Sequence, residues 1–276
     1  MKKIKLGNSE LEVSNIGLGC MRMSSLSKSD AGRVIHNAIE NGINFFDHAD
    51  IYGDGESERT FSEALEMMPS IRENMILQTK CGIRKGSFDF SKEHILESVD
   101  GSLKRLKTDY IDSLLLHRPD ALVEPEEVAE AFTTLKESGK VRHFGVSNHN
   151  PMQIELLKKY LGQDLIVNQL QFSIMHSGMV DAGLNVNMKN DPAIVRDNSI
   201  LDYSRLNDMT IQAWSPFQYG MIEGVFVGNE KFPEINAKLQ EMADRKGVTD
   251  SAIAVAWILR HPATIQPIVG TMNPNV

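Results

Sequence analysis

Short apolar segments alternate with amphipathic segments along the whole chain of 276 residues, and this alternation limits the possible folds more than any other feature. The apolar segments end at polar residues or glycine, as buried strands do, whereas the intervening segments carry apolar residues at helical spacing. The segments with the strand pattern are residues 15–20, 43–47, 75–79, 110–117, 141–146, 165–170, 210–214 and 265–269.

Strands that alternate with helices in this way predict an α/β fold, a closed (β/α)8 TIM barrel formed by residues 1–276 as one domain. Residues 3–5 and 11–13 predict a hairpin before the barrel, and we expect it to close one end. A doubly wound sheet is the alternative. It would need a glycine-rich dinucleotide turn, but Gly17-Leu18-Gly19 continues as Cys20-Met21-Arg22 without the third glycine.

Three successive strand segments lead into ionisable side chains. Asp47 ends the second strand, with Tyr52 five residues later, Lys80 follows the third and His117 ends the fourth. Because the functional groups of a barrel gather at the carboxyl ends of its strands, we expect these side chains to lie close together. A buried Asp47 needs a cationic partner, which Lys80 can supply. Carboxylate, phenol, ammonium and imidazole form a set suited to proton transfer.

The residue pattern resembles the aldo-keto reductases over essentially the whole chain, and in detail their bacterial oxidoreductase branch. The catalytic tetrad of that family matches Asp47, Tyr52, Lys80 and His117. The other matching motifs are Gly17-Leu18-Gly19-Cys20-Met21, Gly145-Val146-Ser147-Asn148, Asn168-Gln169, Trp214-Ser215-Pro216-Phe217 and Ile268-Val269-Gly270-Thr271. The resemblance implies an enzyme that reduces aldehyde or ketone groups of small molecules with a nicotinamide cofactor, NADP(H) in preference to NAD(H).

The resemblance also implies a set of cofactor contacts. Ser147, Asn148 and Gln169 would hold the nicotinamide carboxamide, and Trp214 would stack on the ring. Residues 215–217 and 270–271 would flank the phosphates. The full set of expected cofactor-binding residues is Gly19, Met21, Arg22, Asp47, Ser147, Asn148, Gln169, Trp214, Ser215, Pro216, Phe217, Gly270 and Thr271.

The tetrad also suits carbonyl reduction on chemical grounds. Reduction requires a hydride from the cofactor and a proton for the developing alkoxide. A phenol has a pKa of ~10 and is a weak acid at neutral pH. We expect Lys80 to lower the pKa of Tyr52, the general acid, and Asp47 to keep Lys80 charged and aimed. His117 would donate to the substrate oxygen or orient it.

Two other functional classes are open alternatives. A metal-dependent barrel hydrolase could use Asp47, His48, Asp50 and His117 as ligands. The later strands, however, end in poor ligands, so we expect no metal site. A non-catalytic regulator that only binds the cofactor is the second alternative, and the intact tetrad argues against it.

Composition excludes further classes. A formal net charge of −8 argues against nucleic acid or an anionic membrane as the main partner. Cys20 and Cys81 are the only cysteines and make no disulfide framework, and the chain has no signal-like start, so we predict a cytoplasmic location. No apolar run approaches the roughly 20 residues of a membrane span. Neither the carbonyl substrate nor the oligomeric state has a readable signature.

Smaller features give four further expectations. Ser29-Asp30 and Ser57 should begin the first two outer helices. Residues 172–198 should form a long irregular insertion on the active-site face. Only residues 270–276 follow the last strand, so we expect the eighth outer helix to be lacking, with Asn273-Pro274 as its start. We therefore expect a shortened form of a longer protein, with weakened dinucleotide affinity.

Overall fold

A closed barrel of eight parallel strands forms the centre of the computed structural model, which describes residues 1–273. The strands are β1 (Lys3–Lys5), β2 (Glu12–Ser14), β3 (Gly17–Gly19), β4 (Phe45–Asp47), β5 (Ile76–Cys81), β6 (Ile83–Arg84), β7 (Ser87–Phe88), β8 (Ile111–Leu116), β9 (Val141–Ser147), β10 (Leu165–Gln171), β11 (Thr210–Trp214) and β12 (Ile265–Val269). The barrel order is β3-β4-β5-β8-β9-β10-β11-β12, and β12 pairs with β3 to close the ring. The predicted barrel is confirmed.

Helices surround the barrel in the connections between its strands. They are α1 (Lys28–Glu40), α2 (Glu56–Leu65), α3 (Pro69–Arg72), α4 (Lys92–Leu106), α5 (Pro125–Glu137), α6 (Pro151–Lys158), α7 (Gly178–Leu184), α8 (Ile200–Leu206), α9 (Pro233–Lys246) and α10 (Asp250–Leu259). Short 3-10 turns occur at Met23–Ser25 and Asp191–Ala193. No helix within residues 1–273 is long and apolar enough to cross a bilayer.

The predicted starts of the first two helices were wrong. Ser27, not Ser29, caps α1, because its side chain accepts the Asp30 N–H at 3.1 Å. The second helix begins at Glu56 after Gly55, whose φ of 87° is left-handed. The hydroxyl of Ser57 instead donates to the Met21 carbonyl at 3.0 Å, which ties this helix to the loop after β3.

The hairpin of β1 and β2 closes the amino-terminal end of the barrel, as predicted. Leu6 and Val13 are fully buried against side chains at the starts of barrel strands, including Phe45 and Ile166. The Gly7 N–H also donates to the Thr210 hydroxyl at 2.7 Å. With this end filled by apolar side chains, the opposite end carries the strand-end polar residues.

The segment 172–198 is not wholly irregular, because it contains α7 and the 3-10 turn at Asp191–Ala193. The helix α8 follows it and supplies an outer segment before β11 that the sequence pattern did not indicate. The location of segment 172–198 over the substrate or cofactor pocket stays a prediction. The expected helix start at Asn273-Pro274 extends beyond the described residues.

Candidate active site

Lys80 is the centre of a buried cluster at the carboxyl end of the barrel. Its side chain is fully buried, and Nζ donates to Asp47 Oδ2 at 2.8 Å, to the His48 carbonyl at 2.8 Å and to the Tyr52 hydroxyl at 3.2 Å. These acceptors match the three N–H bonds of an ammonium group. The structure thus brings Asp47, Tyr52 and Lys80 into direct contact.

Burial dominates the titration of Tyr52. It raises the pKa of Tyr52 above that of an ordinary phenol, and the nearby Lys80 ammonium opposes this shift without reversing it. Burial lowers the pKa of Lys80, but Asp47 and Tyr52 together raise the Lys80 pKa above its usual value. Lys80 therefore acts on the Tyr52 pKa in the expected direction, but burial outweighs it and the net shift is upward, where the sequence led us to expect a lowered pKa. At neutral pH this phenol holds its proton and Lys80 is charged.

His117 faces Tyr52 from the end of β8. The two rings meet edge to face, with centroids 5.8 Å apart and planes at 83°. Burial, followed by the charges of Lys80 and Arg118, lowers the pKa of His117 to about 2. The imidazole is therefore neutral near pH 7 and carries a single N–H. The backbone N–H of His117 donates to the Cys81 carbonyl at 2.9 Å, which fixes the end of β8 beside Lys80.

The second oxygen of Asp47 contacts Gln78, which sequence reasoning missed, and Gln169, which the family resemblance assigned to the cofactor. Gln78 Nε2 donates to Asp47 Oδ1 at 2.7 Å, and Gln169 Nε2 donates to the same oxygen at 3.0 Å. Both amides also donate to Gln212 Oε1, at 2.7 and 3.1 Å respectively. A signal was present, because Gln78 lies two residues before Lys80 and so shares its face of the strand. Gln169 lies inside the barrel, and both N–H bonds of its amide are used, one to Asp47 and one to Gln212.

The ends of β9 and β11 are joined by side-chain hydrogen bonds. Asn148, at a left-handed φ of 61°, donates to Ser147 Oγ at 2.7 Å and accepts the indole N–H of Trp214 at 3.2 Å. Ser147 Oγ donates in turn to the Gln169 carbonyl at 3.0 Å. The guanidinium of Arg118 lies 5.8 Å from the Trp214 ring centroid. These contacts orient a half-buried indole at the barrel mouth.

Other expected cofactor residues lie where β3 and β12 meet. Arg22 Nη2 donates to the Gly270 carbonyl at 2.6 Å. A Cβ at Gly19 would lie 3.0 Å from the Ile268 side chain, so strand packing alone accounts for this glycine. A Cβ at Gly270 would meet no atom closer than 4.0 Å, so the loop leaves open space there. The remaining expected residues differ in burial: Met21 is exposed, Ser215, Phe217 and Thr271 are half-buried, and Pro216 is buried.

A second polar cluster lies beside α2. His48 is fully buried with its ring edge-on to Phe61, and burial, helped by the Lys80 charge, lowers the pKa of His48 to about 3. Burial and the nearby Glu58 carboxylate raise the pKa of Asp50 to about 7. Glu58, also fully buried, accepts from Thr79 at 2.6 Å and from Arg105 at 2.7 Å. Within residues 1–273, no three His, Cys, Asp or Glu side chains are placed to hold a metal ion.

Asp50→Asn should raise the melting temperature by a few °C at pH 8 and by clearly less at pH 5, where most of the stability from the protonated carboxyl is still present. A folded-state pKa of about 7, above the unfolded value of ~3.9, means that the folded protein binds the extra proton. Stability from this group is therefore present at low pH and lost as pH rises from about 4 to 7. Thermal unfolding at both pH values tests this, with the exposed Asp54→Asn as control. Equal melting temperatures at pH 8 for wild type and Asp50→Asn would contradict it.

Comparison with known proteins agrees with this architecture. The model of the Aldo/keto reductase family matches residues 15–276. The chain is 40% identical to the uncharacterized oxidoreductase YcsN of Bacillus subtilis (strain 168), over 98% of this chain and 88% of that protein. It is 35% identical to a 6-dehydroglucose reductase of Novosphingobium aromaticivorans, over 98% of this chain and 86% of that protein.

Solved structures give the same result. The thermostable aldo-keto reductase Tm1743, in complex with the inhibitor epalrestat, superposes with a TM-score of 0.77 at 25% identity, covering 98% of this chain and 89% of that one. The family uses nicotinamide cofactors. The chain therefore belongs to the aldo/keto reductase family and is an oxidoreductase, a carbonyl reductase.

Proposed function

We propose that this enzyme reduces aldehyde or ketone groups of small molecules to alcohols with NADPH, and that Tyr52 is the general acid. The observation that carries the proposal is the buried contact of Lys80 Nζ with both Asp47 and the Tyr52 hydroxyl. The family relation alone gives the reaction class. This contact is what supports a specific proton donor.

The reaction needs an acid that gives its proton to the substrate oxygen as negative charge develops there. Tyr52 enters the reaction protonated, since burial raises its pKa. Lys80 Nζ, 3.2 Å from the phenol oxygen, would stabilise the phenolate that remains once the proton has moved to the substrate. The ammonium thus acts mainly on the phenolate, and its benefit is greatest in the transition state.

His117 is proposed to bind the substrate oxygen. Its imidazole is neutral, since its pKa is about 2, so it offers one N–H donor and no proton to lose at neutral pH. Its ring meets that of Tyr52 edge to face, with centroids 5.8 Å apart, which supports a joint role at one substrate oxygen. A substrate carbonyl that accepts from both groups would be oriented for reduction.

The residues at the barrel mouth fit a nicotinamide dinucleotide, which supplies the hydride when it is bound. Trp214 presents an indole held in place by Asn148, a suitable surface for a flat aromatic ring. The open space at Gly270 and the neighbouring guanidinium of Arg22 suit a phosphate group. The preference for NADP(H) over NAD(H) is part of the proposal and is supported by the family relation alone. The cytoplasmic location stays a prediction.

A binding experiment tests the cofactor contact without requiring turnover. The chain has only two tryptophans, Trp214 and Trp257, so each can be observed alone. In Trp257→Phe, NADPH should quench the remaining Trp214 fluorescence strongly, because the ring would lie on the indole. In the matched Trp214→Phe, quenching should be much smaller, since Trp257 lies on α10 against Phe172. Equal quenching in both variants would contradict the stacking.

The reaction itself is tested by a panel of aldehydes, ketones and sugars with NADPH and NADH, followed by the loss of reduced-cofactor absorbance. We expect turnover with at least one aldehyde and a higher kcat/KM with NADPH. Fluorescence quenching without absorbance loss across the panel would favour a non-catalytic cofactor-binding role instead. A higher kcat/KM with NADH would overturn only the cofactor preference.

A further inference from the structure

Four buried glutamines form a continuous hydrogen-bond chain across the barrel interior. Gln266 Nε2 donates to the Ser14 carbonyl at 2.7 Å, and Gln212 Nε2 donates to Gln266 Oε1 at 2.8 Å. Gln212 Oε1 accepts from Gln78 and Gln169, whose nitrogens both reach Asp47 Oδ1. Barrel interiors are usually filled by branched apolar side chains, so this polar layer requires an explanation.

The two ends of this hydrogen-bond chain, the Ser14 carbonyl and Asp47, fix the orientation of every glutamine amide in it. The Ser14 carbonyl can only accept, so Gln266 must turn its nitrogen towards it and its oxygen towards Gln212. Asp47, as a carboxylate paired with Lys80, is also an acceptor, so Gln78 and Gln169 must present nitrogen to it. The amide orientation that Ser14 imposes on Gln212 is the same one that Asp47 requires. In it, Gln212 Nε2 donates to Gln266, and Gln212 Oε1 accepts two N–H groups, from Gln78 and Gln169.

Gln78 is the member of the glutamine layer whose buried carbonyl oxygen has no hydrogen-bond partner within residues 1–273. Both N–H bonds of its amide are used, while its Oε1 is buried without a hydrogen-bond partner among the described residues. An unpaired buried carbonyl is unfavourable. Turning the amide over would place this oxygen against Asp47 Oδ1 and Gln212 Oε1, both acceptors. The hydrogen bonds of the layer therefore pair Asp47 Oδ1 with two donors and leave Gln78 Oε1 unpaired within the described part of the chain.

We propose that Gln78 and Gln212 are positioning residues that hold Asp47 in place for the proton-transfer pair. Gln78 occupies Asp47 Oδ1, so Oδ2 remains directed at Lys80 Nζ. Gln212 does not touch Asp47, but it fixes the amides of Gln78 and Gln169 that do. Lys80 is thereby held within reach of the Tyr52 hydroxyl. This inference rests on the proposed roles of Lys80 and Tyr52.

Gln78→Met keeps a similar side-chain volume and removes one amide donor from Asp47. We expect kcat for carbonyl reduction to fall about 10-fold, with little change in NADPH affinity. KM for the carbonyl substrate should stay near the wild-type value, because the substitution disturbs the aim of Lys80 at Tyr52 and not the group proposed to bind the substrate oxygen, so the loss appears in kcat. Gln212→Met, which leaves Asp47 its direct donors but loosens them, should also lower kcat at unchanged KM, by less than Gln78→Met does.

Thr210→Val is the matched control, since it removes a buried hydrogen-bond acceptor from β11, the strand of Gln212, without touching the glutamine chain. It should lower the melting temperature and leave kcat unchanged. If Gln78→Met and Gln212→Met also keep the wild-type kcat at a temperature well below their melting temperatures, the glutamines serve only stability and the proposal is wrong. Measuring Tyr52→Phe in the same assay separates this outcome from failure of the proposed function. An active Tyr52→Phe would mean that Tyr52 is not the general acid, whatever the glutamine variants do. Should Gln78→Met not fold, the kcat of Gln212→Met decides.

Discussion

Tyr52→Phe should bind NADPH as the wild-type enzyme does and lose most carbonyl reduction. The substitution removes the transferable proton and the acceptor of the Lys80 hydrogen bond, at 3.2 Å, while nearly preserving volume. Loss of a general acid lowers rates by roughly 10²-fold or more. Because the interaction is made chiefly in the transition state, kcat should fall and KM should change little. Steady-state kinetics with one aldehyde and NADPH measures both.

Tyr160→Phe provides a control for the loss of a phenol elsewhere, since Tyr160 is exposed and lies against Lys159 rather than Lys80. It should show wild-type kinetics. Turnover of Tyr52→Phe within a few-fold of wild type would mean that another group protonates the alkoxide. His117 could not be that group near pH 7, since its pKa is about 2 and it is neutral there.

Lys80→Met should impair both catalysis and stability. It leaves Asp47 buried without its cation, and breaking a buried ion pair in this way destabilises proteins by about 3–5 kcal/mol. It also removes the Lys80 ammonium, which opposes the effect of burial on the phenol, so the pKa of Tyr52 should rise further. We expect reduction to fall by roughly 10² or more, since the phenolate would no longer be stabilised. Chemical denaturation and steady-state kinetics measure the two effects.

The double variant Asp47→Leu/Lys80→Met separates these effects. Replacing both members of a buried pair by apolar groups often restores stability. The double variant should therefore recover much of the lost free energy of unfolding and remain inactive. If activity returned together with stability, the ion pair would support the fold and not the chemistry.

The strands and the Asp47–Lys80 pairing could be predicted because both depend on local pattern. Apolar runs mark buried strands, and consecutive parallel strands place their end residues at one rim. Prediction failed where two local signals competed for the same helix cap, or where long-range contacts determined a pKa. Ser27 and Ser29 are both reasonable caps for α1, and only the backbone geometry selects Ser27. The net shift of the Tyr52 pKa depends on burial, which residue spacing does not give.

The glutamine layer shows the same limit more clearly. Gln78 and Gln212 belong to strands far apart in the sequence and meet only because the barrel closes. Their amide orientations depend on Ser14 in the hairpin and on Asp47 together, so no short segment contains the information. Gln169 was expected from family resemblance to face a cofactor, and its nitrogen in this structure donates to Asp47 and Gln212. Whether its oxygen contacts a carboxamide stays a prediction.

Hydride transfer is tested most directly with NADPH deuterated at its reactive ring carbon and the best carbonyl substrate of the panel. The product alcohol should carry one deuterium at the carbinol carbon, and one alcohol should form for each NADPH consumed. Tyr52→Phe under the same conditions should yield labelled product at roughly 10² lower rate. An enzyme that binds NADPH, as shown by quenching of Trp214, yet gives no labelled alcohol from any aldehyde, ketone or sugar would contradict the proposed reaction.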